Sequence, residues 1–267
     1  MAHIQQVHIE PRSLDRFEMF LGKEAISEIR DRAELVSQHL AGRAVWNINS
    51  TATGGGVAEM LASLLTYPRA IGIDARWSVI EGTPEFFIVT KRLHHALQGS
   101  AGDGSPLGEE QHTVYELVSE ENADELRRLI SPGDVVILHD PQTAGLAPHL
   151  IEHGCPLIWR CHIGDERMNV ESERGWAFLA RYLRDVPLSV FSRHAYVPST
   201  LSRSQTVVVA PSVDPFSAKS ELLDDVTVRA VLEYTGLLAG DSKKAAVEFT
   251  ATDGTIHRID RRAHVLS

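Results

Sequence analysis

Two short segments of the chain combine side chains that bind hydroxyl groups and anions, and each follows a predicted strand. The first is His139-Asp140-Pro141-Gln142, and the second is Arg160-Cys161-His162-Ile163-Gly164-Asp165. In open parallel sheets, ligands bind outside the carboxyl ends of the strands. Histidine, arginine and aspartate side chains at such an edge could hold a polyhydroxylated ligand by directional, charge-assisted hydrogen bonds. The alternative is structural: Asp140 would cap the following helix, and His162 would be a buried, hydrogen-bonded histidine.

A third segment places three glycines between a strand and a helix. These are Gly54-Gly55-Gly56, and Glu59 lies about one turn into the predicted helix. Glycines let the backbone approach a ligand closely, and the free N–H groups of a helix N-terminus attract a phosphate or a sugar hydroxyl. The segment is neither a P-loop nor a G-x-G-x-x-G fingerprint. A tight strand-to-helix turn without a ligand is the alternative.

Two basic positions are further candidates for an anion site. Lys91 shares a predicted helix face with His94 and His95, and Arg193 directly follows a predicted strand. A solvated basic face explains Lys91 equally well, and a simple turn explains Arg193.

Three other site types fit the residues poorly. Ser50, His162 and Asp140 are the residue types of a hydrolase triad, but the chain has no G-x-S-x-G elbow. Glu81 ends a predicted strand, as the ribose-binding acid of a dinucleotide enzyme does, but the glycine fingerprint is missing. The two cysteines and the histidines lack the spacing of a zinc site. We therefore expect no metal and no NAD(P)H binding.

The elements that must position these segments alternate between strands and helices. Apolar runs predict strands at 44–48, 75–80, 134–139, 157–162, 188–191 and 206–210, with helices at 57–65, 84–97, 143–153 and 173–183. Asn122, with Glu125 three residues later, is a plausible cap pair and predicts a helix over 122–130. The alternation predicts an α/β fold with a Rossmann-like, mostly parallel sheet and helices on both faces.

Three regions follow from this pattern. Residues 1–42 are predicted as an extension with a strand at 5–10 and a helix at 23–40, and residues 43–216 as the Rossmann-like domain. Residues 217–267 differ, with a helix at 222–238 and two strands around Thr252-Asp253-Gly254, a hairpin signal. Because an isolated two-stranded hairpin is only marginally stable, we expect this end to be the start of a larger C-terminal half.

The composition narrows the range of partners. The chain has 267 residues with 26 Lys and Arg against 36 Asp and Glu, a net charge of −10, which disfavours general nucleic-acid binding. Its apolar runs are far shorter than the roughly 20 residues of a membrane helix. The N-terminus lacks a basic region followed by an apolar core. We therefore expect a cytoplasmic protein that binds neither nucleic acid nor membrane.

Several of these segments, taken in order, resemble a known family. The resemblance rests on Asn47-Ile48-Asn49-Ser50-Thr51 with Gly54-Gly55-Gly56-Val57-Ala58-Glu59-Met60-Leu61, and on residues 76–82, 86–87, 90–91, 96–99 and 138–142. It also rests on Trp159-Arg160-Cys161-His162-Ile163 and on Ala210-Pro211-Ser212-Val213-Asp214-Pro215. Over roughly residues 40–220 the chain is similar to the N-terminal half of glycosyltransferase-type trehalose synthases and the related retaining trehalose phosphorylases. This family belongs to the glycosyltransferase family 4-like enzymes.

The resemblance implies a GT-B architecture, in which two Rossmann-like domains enclose a cleft. The N-terminal domain mainly holds the acceptor sugar, and the C-terminal domain mainly holds the nucleotide-sugar. Such enzymes join glucose from a nucleoside diphosphate glucose to free glucose with retention, whereas the phosphorylases use glucose 1-phosphate and phosphate. Apart from the donor substrate, the resemblance implies no cofactor.

The resemblance also implies a role for individual residues. His162 would lie beneath the sugar ring as the catalytic residue, and Gly55 and Gly56 would approach the phosphate and glucosyl region of the donor. The acceptor pocket would be lined by Asp140, Gln142, Arg160 and Glu59, with Lys91 and Arg193 as anion-binding candidates.

The length predicts only one half of such an enzyme. We therefore expect sugar substrates, weak or no activity of the isolated chain, and a partner that is either a separate C-terminal-domain chain or a second copy of this chain. A non-catalytic sugar-binding or assembly module and half of a trehalose phosphorylase remain as alternatives.

Overall fold

The computed structural model describes residues 3–217, 220, 222–240, 246–251, 254 and 256–262. The chain divides into two compact units, Met1–Pro211 and Ser212–Ser267. The strands of the first unit are β1 (Gln5–Val7), β2 (Val45–Asn49), β3 (Ala75–Val79), β4 (Val135–His139), β5 (Leu157–Cys161), β6 (Leu188–Phe191) and β7 (Thr206–Val208). Its α-helices are α1 (Glu18–Leu40), α2 (Gly56–Leu64), α3 (Thr66–Ala70), α4 (Pro84–Leu97), α5 (Glu109–Leu129), α6 (Ala147–Glu152) and α7 (Val170–Leu183).

The seven strands form one sheet in the order β1-β3-β2-β4-β5-β6-β7. All neighbouring strands are parallel except β1, which pairs with β3 in the antiparallel direction. The chain runs from β2 outward to β3 and then returns to β4 on the other side of β2. The carboxyl ends of β2 and β4 therefore flank the switch point of the sheet, where α/β proteins place their ligands.

Helices cover both faces of this sheet, which confirms the predicted fold class. On one face, Trp46, Leu138 and Trp159 belong to a large buried cluster with apolar side chains of α4, α5 and α7. On the other face, Trp77 packs with Leu61 of α2. Side chains alternate along each strand, so the residues between the large apolar ones of β2, β4 and β5 point to the α2 side.

The predicted helix start at Asn122 is wrong. Helix α5 begins at Glu109, and Asn122 lies buried in its fourth turn. Its amide accepts a hydrogen bond from the backbone N–H of Glu81 (2.9 Å) and donates one to the carbonyl of Glu81 (2.8 Å). An asparagine that resembles a helix cap in sequence thus holds the segment that follows β3.

The N-terminal part of α1 is interrupted by a glycine. The predicted helix begins at residue 23, whereas α1 begins at Glu18 and is interrupted at Gly22, whose φ of 79° and ψ of 164° are not helical. Glycine adopts this conformation without the steric cost of a Cβ. The uninterrupted helix therefore starts after Gly22, as predicted.

The second unit contains helix α8 (Asp225–Thr235) and a hairpin of β8 (Val247–Thr250) with β9 (Ile256–Ile259). Asp224 caps α8 by accepting a hydrogen bond from Thr227 N–H at 2.7 Å, and Gly236 ends it in the left-handed conformation. The predicted helix at 222–238 is therefore shorter at both ends. Thr252 and Asp253 of the predicted hairpin turn lie outside the described residues. Among the described helices, none is long and apolar enough to cross a membrane.

Candidate functional site

A row of polar side chains lies on the α2 side of the sheet, at the carboxyl ends of the central strands. Asn47 of β2 pairs in register with Trp77 and shares its face. His139 of β4 is the register partner of Arg160 of β5. Three neighbouring strands thus contribute polar residues to one face beside the switch point, where apolar residues would otherwise be expected.

Two histidines of this row are bonded to each other. His139 Nδ1 lies 3.1 Å from His162 Nε2, and His139 Nε2 lies 3.1 Å from Asn47 Oδ1. Burial, assisted by the positive charge of Arg160, lowers the pKa of His162 to about 4. Burial also lowers the pKa of His139 well below its ordinary value. Both imidazoles are therefore neutral at pH 7, which suits hydrogen bonding to uncharged hydroxyl groups.

Asp140 occupies the turn directly after β4 with an unusual backbone. Its φ is +62°, in the left-handed region, which asparagine and aspartate tolerate better than most residues. One carboxylate oxygen accepts the backbone N–H of His162 at 2.7 Å, while the other has no hydrogen-bond partner among the described residues. Burial raises the pKa of this carboxyl to about 7, although the His162 N–H and Arg160 oppose the shift. A partly desolvated carboxyl with one open oxygen is a strong acceptor for a ligand hydroxyl.

The turn that carries Asp140 is held by buried side chains. Tyr115 donates its hydroxyl hydrogen to the carbonyl of Pro141 at 2.5 Å and accepts the N–H of Gly145 at 2.8 Å. Trp159 Nε1–H donates to the carbonyl of Asp140 at 3.1 Å. A Cβ at Gly145 would lie 2.2 Å from the hydroxyl oxygen of Ser119. The position of Asp140 is therefore set by the core beneath it.

Arg160 and Gln142 complete the predicted acceptor residues near this turn. Both are half-buried, and neither side chain forms a hydrogen bond or a short ion pair with any residue that the structure describes. Burial lowers the pKa of Arg160, while the nearby Asp140 carboxyl raises it. Because a desolvated guanidinium with free N–H groups favours an acceptor, Arg160 is suited to bind a ligand oxygen.

The three glycines of the predicted donor site form the turn into α2. Gly54 and Gly55 have φ values of +76° and +81°, and Gly55 is the residue before the first turn of α2. A Cβ added at Gly54, Gly55 or Gly56 would meet nothing within 4 Å. The backbone thus faces open space, next to the free N–H groups of a nine-residue helix.

Alanine substitutions at Gly55 and Gly56 test which of the two glycines the backbone conformation of the turn requires. We expect Gly55→Ala to lower the free energy of unfolding by about 1–3 kcal/mol, because its φ of 81° with ψ of 154° is nearly glycine-only. Gly56→Ala has an ordinary φ and open space, so we expect no loss, or a gain of up to about 1 kcal/mol. Urea denaturation of both variants measures the difference; equal losses would contradict this assignment.

The remaining predicted residues belong to other elements than the bonded row. Lys91 is exposed on α4 and forms no ion pair or hydrogen bond with a described residue. Arg193, after β6, pairs with Glu166 and lies 5.8 Å from the ring centre of Tyr196. Glu59 is exposed in the first turn of α2. Arg193 would have to exchange its carboxylate partner before it could bind an anion.

The sequence predicted no role for Asn47, and it placed His139 only among the polar side chains at a strand end, without a specific role. Asn47 lies in an apolar strand between Trp46 and Ile48 and is 4% exposed, while His139 is 2% exposed. The sequence signal for Asn47 was its position as a polar residue in the middle of a predicted apolar strand. Its partner, however, is 92 residues away in the chain.

The site offers hydrogen bonds of both polarities to a neutral, hydroxyl-rich ligand. Asp140 supplies an acceptor, Arg160 supplies donors, and His162 carries a ring nitrogen, Nδ1, without a partner among the described residues. Among those residues, no group of three or more His, Cys, Asp or Glu side chains could hold a metal ion. The arrangement can orient a sugar and stabilise developing charge.

Comparison with known proteins identifies similar chains of known activity. A family model described as the N-terminal domain of trehalose synthase matches residues 47–198, a range that contains every candidate site residue. The trehalose synthase of Pyrococcus horikoshii is 39% identical over 233 residues, which cover 87% of this chain and 53% of that protein. The trehalose synthase of Rubrobacter xylanophilus is 31% identical over 222 residues, covering 82% of this chain and 51% of that protein. The chain thus spans about half the length of these relatives.

A more distant relative and a solved structure extend the comparison. The trehalose phosphorylase of Pleurotus sajor-caju is 28% identical over 193 residues, which cover 66% of this chain and 25% of that protein. A solved structure of a trehalose-6-phosphate synthase superimposes with a TM-score of 0.51 at 13% identity, covering 72% of this chain and 55% of that chain. This likeness concerns the fold alone, and it confirms the N-terminal half of a GT-B fold.

Proposed function

Because the chain belongs to the family of trehalose synthase N-terminal domains, we propose that it is the acceptor-sugar-binding half of a retaining glucosyltransferase. Its reaction would form trehalose from a nucleoside diphosphate glucose and free glucose. One observation carries this proposal: Asp140 and His162 meet beside the switch point of the sheet, each with an open hydrogen-bonding atom. Arg160 lies beside them without a hydrogen-bonded partner in the described part of the chain.

The acceptor glucose is proposed to bind at this row of polar residues. The open oxygen of Asp140 would accept a hydrogen bond from one sugar hydroxyl, and Arg160 would donate to a second. Gln142, at the end of the same turn, would supply an amide to a third. Such charge-assisted contacts fix the orientation of a hydroxyl nucleophile. Holding the hydroxyl in the geometry of attack lowers the activation barrier of the transfer step.

The transfer step is proposed to need no protein carboxylate as the attacking group. A hydroxyl oxygen of the acceptor would form a bond to C1 of the donor glucose while the bond from C1 to the diphosphate oxygen breaks. The leaving phosphate would take the proton of that hydroxyl. His162 would contact the reacting sugar, and the polar site would stabilise its oxocarbenium-like state.

The donor is proposed to meet this chain at the glycine turn. The open space before Gly55 and Gly56 and the N-terminus of α2 fit a phosphate or the glucosyl unit. The rest of the donor nucleotide would be held by a region equivalent to the part of the relatives that this chain does not match. Lys91 would contribute only if the donor phosphate reaches α4.

Calorimetric titration tests the sugar site directly. We expect the chain to bind glucose and trehalose, to bind nucleoside diphosphate glucose weakly, and to turn over little on its own. Gly56→Ala should weaken binding of the donor without lowering stability, since its new Cβ occupies the open space. Absence of heat with every sugar would contradict the proposal, and full trehalose formation by the chain alone would contradict its role as a half.

The similarity to a trehalose phosphorylase supports a second candidate. In that case glucose 1-phosphate and phosphate would replace the nucleotide donor at the same turn. Titration with glucose 1-phosphate, inorganic phosphate and nucleoside diphosphate glucose distinguishes the two. Tighter binding of glucose 1-phosphate than of the nucleotide-sugar would favour the phosphorylase.

A further inference from the structure

Three side chains from three strand ends form a continuous hydrogen-bonded row that leads to His162. The row runs from Asn47 Oδ1 to His139 Nε2 (3.1 Å), and from His139 Nδ1 to His162 Nε2 (3.1 Å). The two imidazole rings lie within 14° of parallel, and their centres are 5.4 Å apart. Nearly coplanar rings at this separation fit an edge-to-edge hydrogen bond. Asn47 and His139 are almost completely buried, so water cannot substitute for either.

The chemistry of neutral imidazole allows only one proton arrangement along this row. A neutral ring has one nitrogen that donates and one that accepts. The carbonyl oxygen of Asn47 can only accept, so His139 must carry its proton on Nε2. His139 Nδ1 is then an acceptor, and the hydrogen bond to it requires a proton on Nε2 of His162. His162 Nδ1 consequently has a free lone pair.

We propose that Asn47 and His139 are positioning residues that hold His162 in the Nε2–H tautomer, with Nδ1 free to accept a hydrogen bond from a sugar hydroxyl. The tautomer itself is a property of the unliganded chain. Only the identity of the hydroxyl donor rests on the proposed function. Without the row, His162 could exchange between tautomers, and part of the population would present an N–H where an acceptor is needed.

The closest structural control lies two residues further along β2. Asn49 is as buried as Asn47, at 3% against 4% exposed, and its side chain faces the same side of the sheet. Its amide, however, accepts from Trp77 Nε1–H at 2.8 Å and donates to the carbonyl of Thr51 at 2.7 Å, and it bonds to no histidine of the described ranges. Asn47→Leu and Asn49→Leu therefore remove similar buried amides, and only the first should affect His162.

Nitrogen-15 NMR of the imidazole rings at neutral pH tests the proposal. In the wild-type chain we expect a protonated Nε2 and an unprotonated Nδ1 for His162. Asn47→Leu should give mixed or reversed signals and weaken glucose binding by about threefold to tenfold, the loss expected for one neutral hydrogen bond. Asn49→Leu should leave the His162 signals unchanged, and His139→Phe provides a second disruption of the row if Asn47→Leu does not fold.

The outcomes separate this inference from the proposed function. A protonated Nδ1 on His162 in the wild-type chain overturns the inference without any variant. So does an unchanged tautomer in both Asn47→Leu and His139→Phe. If the tautomer behaves as expected but no sugar binds to the wild-type chain, the positioning role stands and the proposed function fails.

Discussion

Replacing Asp140 by asparagine is expected to weaken glucose binding about tenfold to a hundredfold while the chain remains folded. Removal of a hydrogen bond to a charged group costs about 1.5–3 kcal/mol, which gives this range. Asparagine tolerates the φ of +62°, and its amide oxygen can still accept the N–H of His162. The substitution therefore removes the charge and leaves the turn in place. Calorimetric titration with glucose measures the effect.

The pH dependence of the same variant provides an internal check. The pKa of Asp140 is raised from 3.8 to about 7 in the folded chain, so the folded state binds more protons than the unfolded state between these values. The stabilisation from this group is present at low pH and is lost as the pH rises through about 7. As the pH rises from 3.8 to about 7, the wild-type chain should lose stability relative to Asp140→Asn. The difference between their free energies of unfolding should change by at most about 1.4 kcal/mol per pH unit.

The affinity for glucose should rise with pH, whereas the stability of the wild-type chain falls. Ionised Asp140 is the stronger acceptor, so the affinity of the wild-type chain for glucose should rise between pH 6 and pH 8, as the pKa of about 7 implies. Asp140→Asn should lack this rise. A wild-type affinity that does not change over this interval would contradict the proposed contact between Asp140 and the acceptor.

Truncation of Trp159 should produce the largest loss of stability. Trp159 is fully buried, and its ring contacts those of Trp176 and Phe191 at centre distances of 6.1 and 6.0 Å. We expect Trp159→Ala to lower the free energy of unfolding by about 3–5 kcal/mol. Sugar binding should also fall, because the indole N–H no longer holds the carbonyl of Asp140. Chemical denaturation monitored by circular dichroism measures the first effect.

Two conservative variants distinguish the packing of Trp159 in the core from its role in positioning Asp140. Trp159→Phe keeps an aromatic ring but removes the N–H that bonds to Asp140. Trp176→Phe makes the same change in the neighbouring ring, which has no described bond to the site. We expect the two variants to lose similar amounts of stability. Only Trp159→Phe should weaken glucose binding. Equal binding by the two variants would show that Trp159 acts only through the core.

The candidate site was visible in part from local sequence. Polar residues directly after the apolar strands β4 and β5 indicated the carboxyl edge of a parallel sheet, and Asp140, Arg160 and His162 do lie together there. The glycine turn before α2 was likewise readable, because strand, glycines and helix follow one another in the chain. Local sequence did not, however, show which residues would become the neighbours of Arg193. Residue type suggested an anion site for Arg193, yet its partner Glu166 lies 27 positions earlier in the sequence.

The sequence by itself determined the alternation of elements, the α/β class and the positions of the polar strand ends, because these depend on local periodicity and turn chemistry. Only the tertiary structure decided the neighbours of each residue. Asn122 resembles a cap but supports Glu81, and Asn47 resembles a polar interruption but bonds to His139. These contacts join segments 41 and 92 residues apart. Strand order and register create them, and no local pattern of side chains encodes which strands become neighbours.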